Sequence, residues 1–251
     1  MPQLTAAAFG DNPALWPLPP AETAEQRWLR AVAAGGQGHY ATAFAELAEL
    51  RRSATGPLLS LAHSTHGSLL RQLGWHVRAR GWDGRALAQA GVEPQARADA
   101  LVGLAADALG VGRFTTSACL LDQAADLAGP PRLEVRLAWV RAELAMATGD
   151  GTAAVTHARR GVELAGRQAS VRHRTKSDVV LAAALCCAGR LDESRALAAD
   201  LMARTAEHGL IPLQWAVASL LTGVGGSPDS ASVRDAAAAL VEHRGGHWRR
   251  A

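Results

Sequence analysis

The stretch Gly38-His39-Tyr40-Ala41-Thr42-Ala43 places a glycine between two segments of helical periodicity, and its pattern returns four more times. The later copies begin at glycines spaced 36 to 40 residues apart: Gly74, Gly112, Gly149 and Gly189. A small residue follows each glycine after five positions: Ala43, Ala79, Ser117, Ala154 and Ser194. A period between about 20 and 50 residues is typical of solenoids, whose units pack on their neighbours. The sequence therefore predicts an array of helix pairs with a glycine in each turn.

The composition favours helices over strands. Alanine and leucine dominate the 251 residues, and aromatic residues contribute only 4%. These preferences are those of helical segments, since strands are enriched in β-branched and aromatic residues. The formal net charge of +3 is weak support for an anionic partner.

Several features indicate a cytoplasmic protein without membrane contact. The longest apolar run, residues 179–188, is shorter than the roughly 18 residues of a membrane span. Met1–Leu4 lacks the basic and apolar regions of a signal peptide. Cys119, Cys186 and Cys187 lie in apolar helical patterns, so we expect reduced and buried thiols.

The chain divides into three parts. Five prolines in residues 1–21 predict an extended N-terminal arm, because proline fixes φ and lacks a backbone donor. Residues 22–244 contain the helical repeats, whose last pair is degenerate, as terminal repeats often are. Residues 245–251 form a basic tail that we expect to be loose.

The repeats resemble the tetratricopeptide (TPR) family. The shared pattern is a glycine, one residue, a bulky apolar residue, two residues and a small residue. In the first helices of two pairs, the offsets to the turn glycine also match: His63, His66, Gly67 and Leu70 before Gly74, and Leu101, Leu104, Ala105 and Ala108 before Gly112. The resemblance implies an all-α fold, a right-handed α-solenoid of about five to six antiparallel helix hairpins. The period is longer than the usual 34 residues of this family.

The resemblance also implies that the first helix of each pair forms a concave binding surface. Carried over to this chain, it assigns partner binding to Ser64, Ser68, Arg71, Arg136, Trp139, Glu143 and Lys176. Trp139 is the favoured anchor because Trp and Arg dominate binding hot spots. Its alternative role, as a core residue between repeats, stays open.

No motif for catalysis, a cofactor or a metal supports an enzyme. Gly36-Gln37-Gly38 resembles part of a dinucleotide-binding loop, but it follows a helix where that loop requires a strand. His63 and His66 share a helical face, yet no further ligands stand at a recognisable spacing. We therefore expect these two histidines to serve in packing.

The sequence thus predicts a cytoplasmic, non-catalytic scaffold or regulatory adaptor that binds a protein or peptide segment, which could be acidic, in its groove. Two alternatives stay open. One is a nucleic-acid-associated factor that uses the arginine-rich stretches 51–85 and 159–176, although no nucleic-acid-binding motif accompanies them. The other is a small-molecule sensor with a pocket in the groove. Association of the chain with itself is also open.

Overall fold

The computed structural model describes residues 2–127, 129–226 and 229–249. Residues 1, 128, 227–228 and 250–251, which belong to the predicted arm, repeats and tail, lie outside the described residues. Within the described part the protein is all-helical, as predicted, with thirteen helices and no strand. They are α1 (Pro2–Phe9), α2 (Ala24–Gly36), α3 (Tyr40–Ser53), α4 (Gly56–Gln72), α5 (His76–Gln89), α6 (Pro94–Gly110), α7 (Phe114–Ala125), α8 (Pro131–Ala147), α9 (Gly151–Gly166), α10 (Val171–Cys187), α11 (Leu191–Glu207), α12 (Ile211–Gly223) and α13 (Ser230–His243).

From α2 onward the helices pack as consecutive pairs, from α2/α3 to α12/α13. The first helix of each pair contacts the first helix of the next pair, and each second helix also contacts the first helix that follows it. Each pair therefore buries its apolar surface mainly against its sequence neighbours, as expected for a repeat array.

The five repeated glycines form the turns within pairs. Their φ angles lie between +74° and +86°, a region that glycine adopts without steric cost. The next residue donates back to a carbonyl at the end of the helix, as in the 2.8 Å bond from His39 N to Ala34 O, which caps that helix end. Gly209, Gly225 and Gly245 adopt the same turn. Of these, Gly225 lies in the predicted degenerate last pair, and Gly209 and Gly245 stand outside the repeated pattern.

The predicted small positions of the second helices are completely buried. None of the five retains measurable exposure: Ala43, Ala79, Ser117, Ala154 and Ser194. Small side chains at these sites let the two helices of a pair approach closely.

The first and last helix pairs are in contact with each other. Ala41 N donates to Arg244 O at 2.9 Å, and the Arg244 guanidinium donates to Gln37 O at 2.8 Å. Val241 of α13 is buried in the same apolar cluster as Tyr40 and Leu47 of α3. The array therefore closes on itself.

The prediction of an extended arm is wrong for its first half, because residues 2–9 form α1. Pro2 occupies the first turn, where a helix needs no N–H donor, and the other four prolines follow the helix. Leu4, Ala7 and Ala8 are buried. Helix α1 contacts both α2 and α10, and Val171 N donates to Gly10 O at 3.0 Å.

The expectation of a loose tail is wrong for residues 245–249. The rings of Trp248 and Trp215 stack with their centroids 4.5 Å apart. Arg249 N donates to Leu73 O at 2.8 Å, and Trp75 Nε1 donates to His247 O at 2.6 Å. The tail thus joins α12 to the turn between α4 and α5.

Two of the three cysteines are exposed, contrary to the expectation that all are buried. Cys119 and Cys187 face outward and Cys186 is half-buried. In α7 the buried stripe consists of Ser117, Leu121 and Ala124, so Cys119 falls on the opposite side. No helix in the described ranges has the length and apolar character to cross a membrane.

Candidate functional site

A cavity of about 570 Å³ lies at the centre of the closed array. The first helices of all six pairs contribute to its wall, and Phe9 of α1 adds to it. The volume lies within the range of about 300–1,000 Å³ that small-molecule sites occupy.

All seven sequence-predicted binding residues line this cavity. They come from α4, α8 and α10: Ser64, Ser68, Arg71, Arg136, Trp139, Glu143 and Lys176. The structure therefore brings together side chains that are up to 112 positions apart, from Ser64 to Lys176.

Trp139 is both a core residue and part of the cavity wall. Only 7% of its surface is exposed, and its Nε1 donates to Ser177 Oγ at 2.8 Å, which joins α8 to α10. The Lys176 ammonium lies 4.5 Å from the centroid of its ring, an arrangement that favours the cation. The role as a core residue between repeats, which the sequence left open, is thus observed, and the ring also faces the cavity.

Arg71 is held in a buried ionic cluster. Its guanidinium contacts Asp83 of α5, and it donates to Asp107 Oδ1 of α6 at 3.0 Å. Gly67 and Gly103 leave room for the Asp83 carboxylate, which a Cβ at either position would strike. Burial raises the pKa of Asp83 to about 7, with Arg71 opposing the change. Arg71 therefore ties three helices together besides facing the cavity.

Two further arginines share one carboxylate. Asp99 of α6 is buried and accepts a 2.6 Å bond from Arg132 Nη2. It also contacts the Arg136 guanidinium. One negative charge thus faces two positive charges at the first turns of α8.

Arg172 and Lys176 differ from these arginines, because neither forms an ion pair with any described carboxylate. Arg172 donates weakly to Ala8 O at 3.5 Å. Burial, followed by the nearby Arg132, lowers the pKa of Arg172 to about 10. Burial also lowers the pKa of Lys176, while Glu143 opposes that effect. Within the described residues, these two cations therefore lack the carboxylate contact that the other three make.

The rest of the wall is largely aromatic and aliphatic. Trp28 lies 5.4 Å from Phe9 between ring centroids, and Trp215 contributes from α12. Later turns of α6, α8 and α10 supply apolar side chains: Val102, Leu109, Val140, Met146, Val179, Val180 and Ala183.

Sequence reasoning missed Trp28, Trp215, Arg132 and Arg172 as cavity residues. The spacing to the turn glycines would have identified them. Six wall residues each precede a turn glycine by ten positions: Trp28, Ser64, Val102, Trp139, Val179 and Trp215. Arg132 and Arg172 each precede the turn glycine of their own pair, Gly149 or Gly189, by 17 positions.

His63 and His66 take part in packing, as predicted. The His66 ring stacks on Trp82 with 3.9 Å between centroids, and His63 lies 5.5 Å from the same ring. Within the described ranges, no group of three or more His, Cys, Asp or Glu residues is arranged to hold a metal ion.

The arginine-rich stretches do not form uniform surfaces. In the first, Arg71 lines the cavity, while Arg51 and Arg85 lie over the Trp82 ring. In the second, Arg160 pairs with Glu163 outside the array at 2.8 Å, whereas Arg172 and Lys176 line the cavity. Each stretch is divided between the inside and the outside of the array.

Comparison with known proteins adds no family assignment: no family model matches this chain, and no curated protein is significantly similar to it.

Proposed function

We propose that this chain is a non-catalytic binding protein, a TPR-like right-handed solenoid of six helix hairpins whose central cavity takes a small molecule. The observation that carries the proposal is the convergence of all six first helices on one cavity of about 570 Å³. That volume suits a small organic ligand.

The closed array favours a small molecule over an extended protein segment. A segment lying in a solenoid groove needs open ends along which it can continue. Here the bonds between the first and last pairs, including Ala41 N to Arg244 O, close the array. Of the alternatives considered from the sequence, a small-molecule sensor therefore agrees best with the geometry.

The character of the wall supports binding over chemistry. Its charged groups are mainly guanidinium and ammonium groups held on helices, among them Arg136, Arg172 and Lys176. Such groups stay protonated at neutral pH and recognise anions through charge-assisted hydrogen bonds. Tryptophans from three different helices offer flat apolar surfaces beside them.

The test is a cavity-filling substitution. A panel of neutral, anionic and cationic small molecules is screened against the full chain by thermal shift, and hits are measured by calorimetry. Ala183→Phe should lower the affinity for every hit about tenfold or more, because Ala183 lines the cavity and the larger side chain would fill part of it. Ala147→Phe, on the exposed end of α8, should leave affinity unchanged.

Circular dichroism first establishes that both variants are folded. Hits that bind Ala183→Phe as tightly as the parent chain would contradict the proposal. So would a panel without hits together with tight binding of an extended peptide.

A further inference from the structure

Resting on the proposed function, we propose that the cavity binds an organic anion, with its carboxylate or phosphate held by Arg172 and Lys176 and its apolar body against Trp139 and the aliphatic wall. The observation behind this proposal is a pair of half-buried cations in the cavity wall that no carboxylate among the described residues contacts.

The cations of the cavity are unequally paired. Five line it: Arg71, Arg132, Arg136, Arg172 and Lys176. The first three contact the carboxylates of Asp83, Asp107 or Asp99, and the last two contact none within the described residues. A buried charge without a partner is costly. An anionic ligand would supply the missing partner.

The two unpaired cations are placed to act together. Arg172 and Lys176 are four residues apart on α10, which puts them one turn apart on the same face. Arg132 and Arg136 have the same spacing on α8, and α8 contacts α10. The early turns of two adjacent helices thus present four cations, of which Asp99 neutralises one.

The cavity also offers an apolar surface next to this positive patch. The later turns of α8 and α10 carry Val140, Met146, Val179 and Ala183 toward the cavity. The Trp139 ring lies directly beneath the Lys176 ammonium. A ligand that satisfies both regions has a charged head and an apolar body.

Two other groups face the same space. Glu143, on the fourth turn of α8, interacts electrostatically with Lys176 without forming an ion pair. Ala8 O of α1 is the group that meets Arg172, at a distance near the limit of a hydrogen bond. Neither gives Arg172 a neutralising charge, so its guanidinium is available to a ligand.

The experiment compares three probes with the same ten-carbon chain: decanoate, decyl phosphate and decanol. Calorimetry with the full chain should show binding of decanoate or decyl phosphate about tenfold or more above that of decanol, as expected for charge-assisted contacts. The ratio of the affinities for decanoate and decyl phosphate distinguishes a carboxylate site from a phosphate site. Raising the salt concentration should lower the affinity for the two anions and leave the affinity for decanol unchanged.

Variants locate the head group. Lys176→Met keeps the apolar stem over Trp139, and Arg172→Gln keeps a polar side chain of similar reach. Each should weaken anion binding about tenfold and leave decanol binding unchanged. The control is Arg97→Gln, at an exposed position of α6, which should bind every probe as the parent does.

The outcomes separate this inference from the proposed function. Equal binding of decanol and the anions, or undiminished anion binding by the Arg172→Gln/Lys176→Met double variant, would overturn the anion assignment and leave the cavity as a binding site. Failure of all three probes would also overturn it, and the panel with Ala183→Phe would still decide the proposed function. Anion binding that Ala183→Phe does not weaken would overturn both.

Discussion

The backbone oxygen of Arg244 accepts a 2.9 Å hydrogen bond from the backbone amide of Ala41, more than 200 positions earlier in the chain. This bond joins the end of the last helix pair to the start of α3 in the first pair. Because the two ends of the array meet, the first helices surround a cavity. The tail strengthens the closure, since Trp248 stacks on Trp215 and Arg249 binds Leu73.

Removing the tail's indole should destabilise the fold. Trp248→Ala deletes a half-buried ring that also donates to Ala238 O, and we expect a loss of about 1–3 kcal/mol in the free energy of unfolding. Urea denaturation measures it. The control is Val92→Ala, since Val92 is 98% exposed. Equal stability of Trp248→Ala and the parent would show that the tail does not contribute to closure.

Adding one methyl group at Gly67 or Gly103 should be costly. Either Cβ would strike the buried Asp83 carboxylate, so Gly67→Ala and Gly103→Ala should each destabilise by about 1–3 kcal/mol. Gly81→Ala in α5 is the matched control, because no atom lies within 4 Å of its Cβ position. There the better helix propensity of alanine should stabilise by about 0.5–1 kcal/mol. The opposite order of these variants in urea denaturation would contradict the packing described for Asp83.

Asp83 should reverse the usual dependence of stability on pH. Burial raises its folded-state pKa to about 7 from 3.8, so between these values the folded state holds a proton that the unfolded state has released. Its contribution to stability therefore grows as pH falls through about 7. Asp83→Asn lacks this titration. We expect its destabilisation relative to the parent to be smaller at pH 8 than at pH 5, by about 1–2 kcal/mol.

The check on Asp83 is urea denaturation of both proteins at the two pH values. Asp122→Asn is the control, because Asp122 is exposed and pairs only with Arg141 in the described structure. If the free energies of unfolding of Asp83→Asn and the parent differ by the same amount at pH 5 and pH 8, Asp83 is ionised at both pH values.

His66 should make the fold sensitive to acid. Burial, followed by Arg51, lowers its pKa to about 3. Below about pH 6.5 His66 is therefore protonated in the unfolded state but still neutral in the folded state. The free energy of unfolding consequently falls as pH falls toward 3. His66→Phe keeps a ring against Trp82 and removes the titration. The stability difference between pH 7 and pH 4 should shrink by about 1–2 kcal/mol.

Acid titration followed by circular dichroism measures the effect of His66→Phe. His243→Phe, at an exposed position near the end of α13, is the control for replacing a histidine by phenylalanine away from Trp82. An unchanged difference between pH 7 and pH 4 in His66→Phe would mean that other groups govern acid unfolding.

The helices and their turns were predictable because short-range interactions specify them. Gly38 and its four counterparts needed only the recurrence of a glycine, followed after five positions by a small residue. Gly225 also has a small residue, Ser230, after five positions, whereas Gly209 and Gly245 do not repeat that pattern. Helix α1 was not predicted because the five prolines were counted over the whole of residues 1–21, whereas only Pro2 lies inside the helix.

The wall of the cavity was partly predictable from the same register. Trp139 and Lys176 followed from the repeat, and extending the ten-residue offset would have added Trp28 and Trp215. The division of the cations into paired and unpaired was not predictable. Arg71 meets Asp83 and Asp107 from two other helices, and nothing in their sequence spacing indicates which arginine will receive a carboxylate.

The sequence by itself determined an all-helical array of pairs and the side chains that face its inner surface. Both depend on helical periodicity and turn geometry, which act over a few residues. Only the tertiary structure decided that the array closes and that Arg172 and Lys176 contact no carboxylate of the residues it describes. Closure depends on small rotations summed over every pair until Ala41 meets Arg244. Ion pairing depends on which side chains then lie within reach across the cavity.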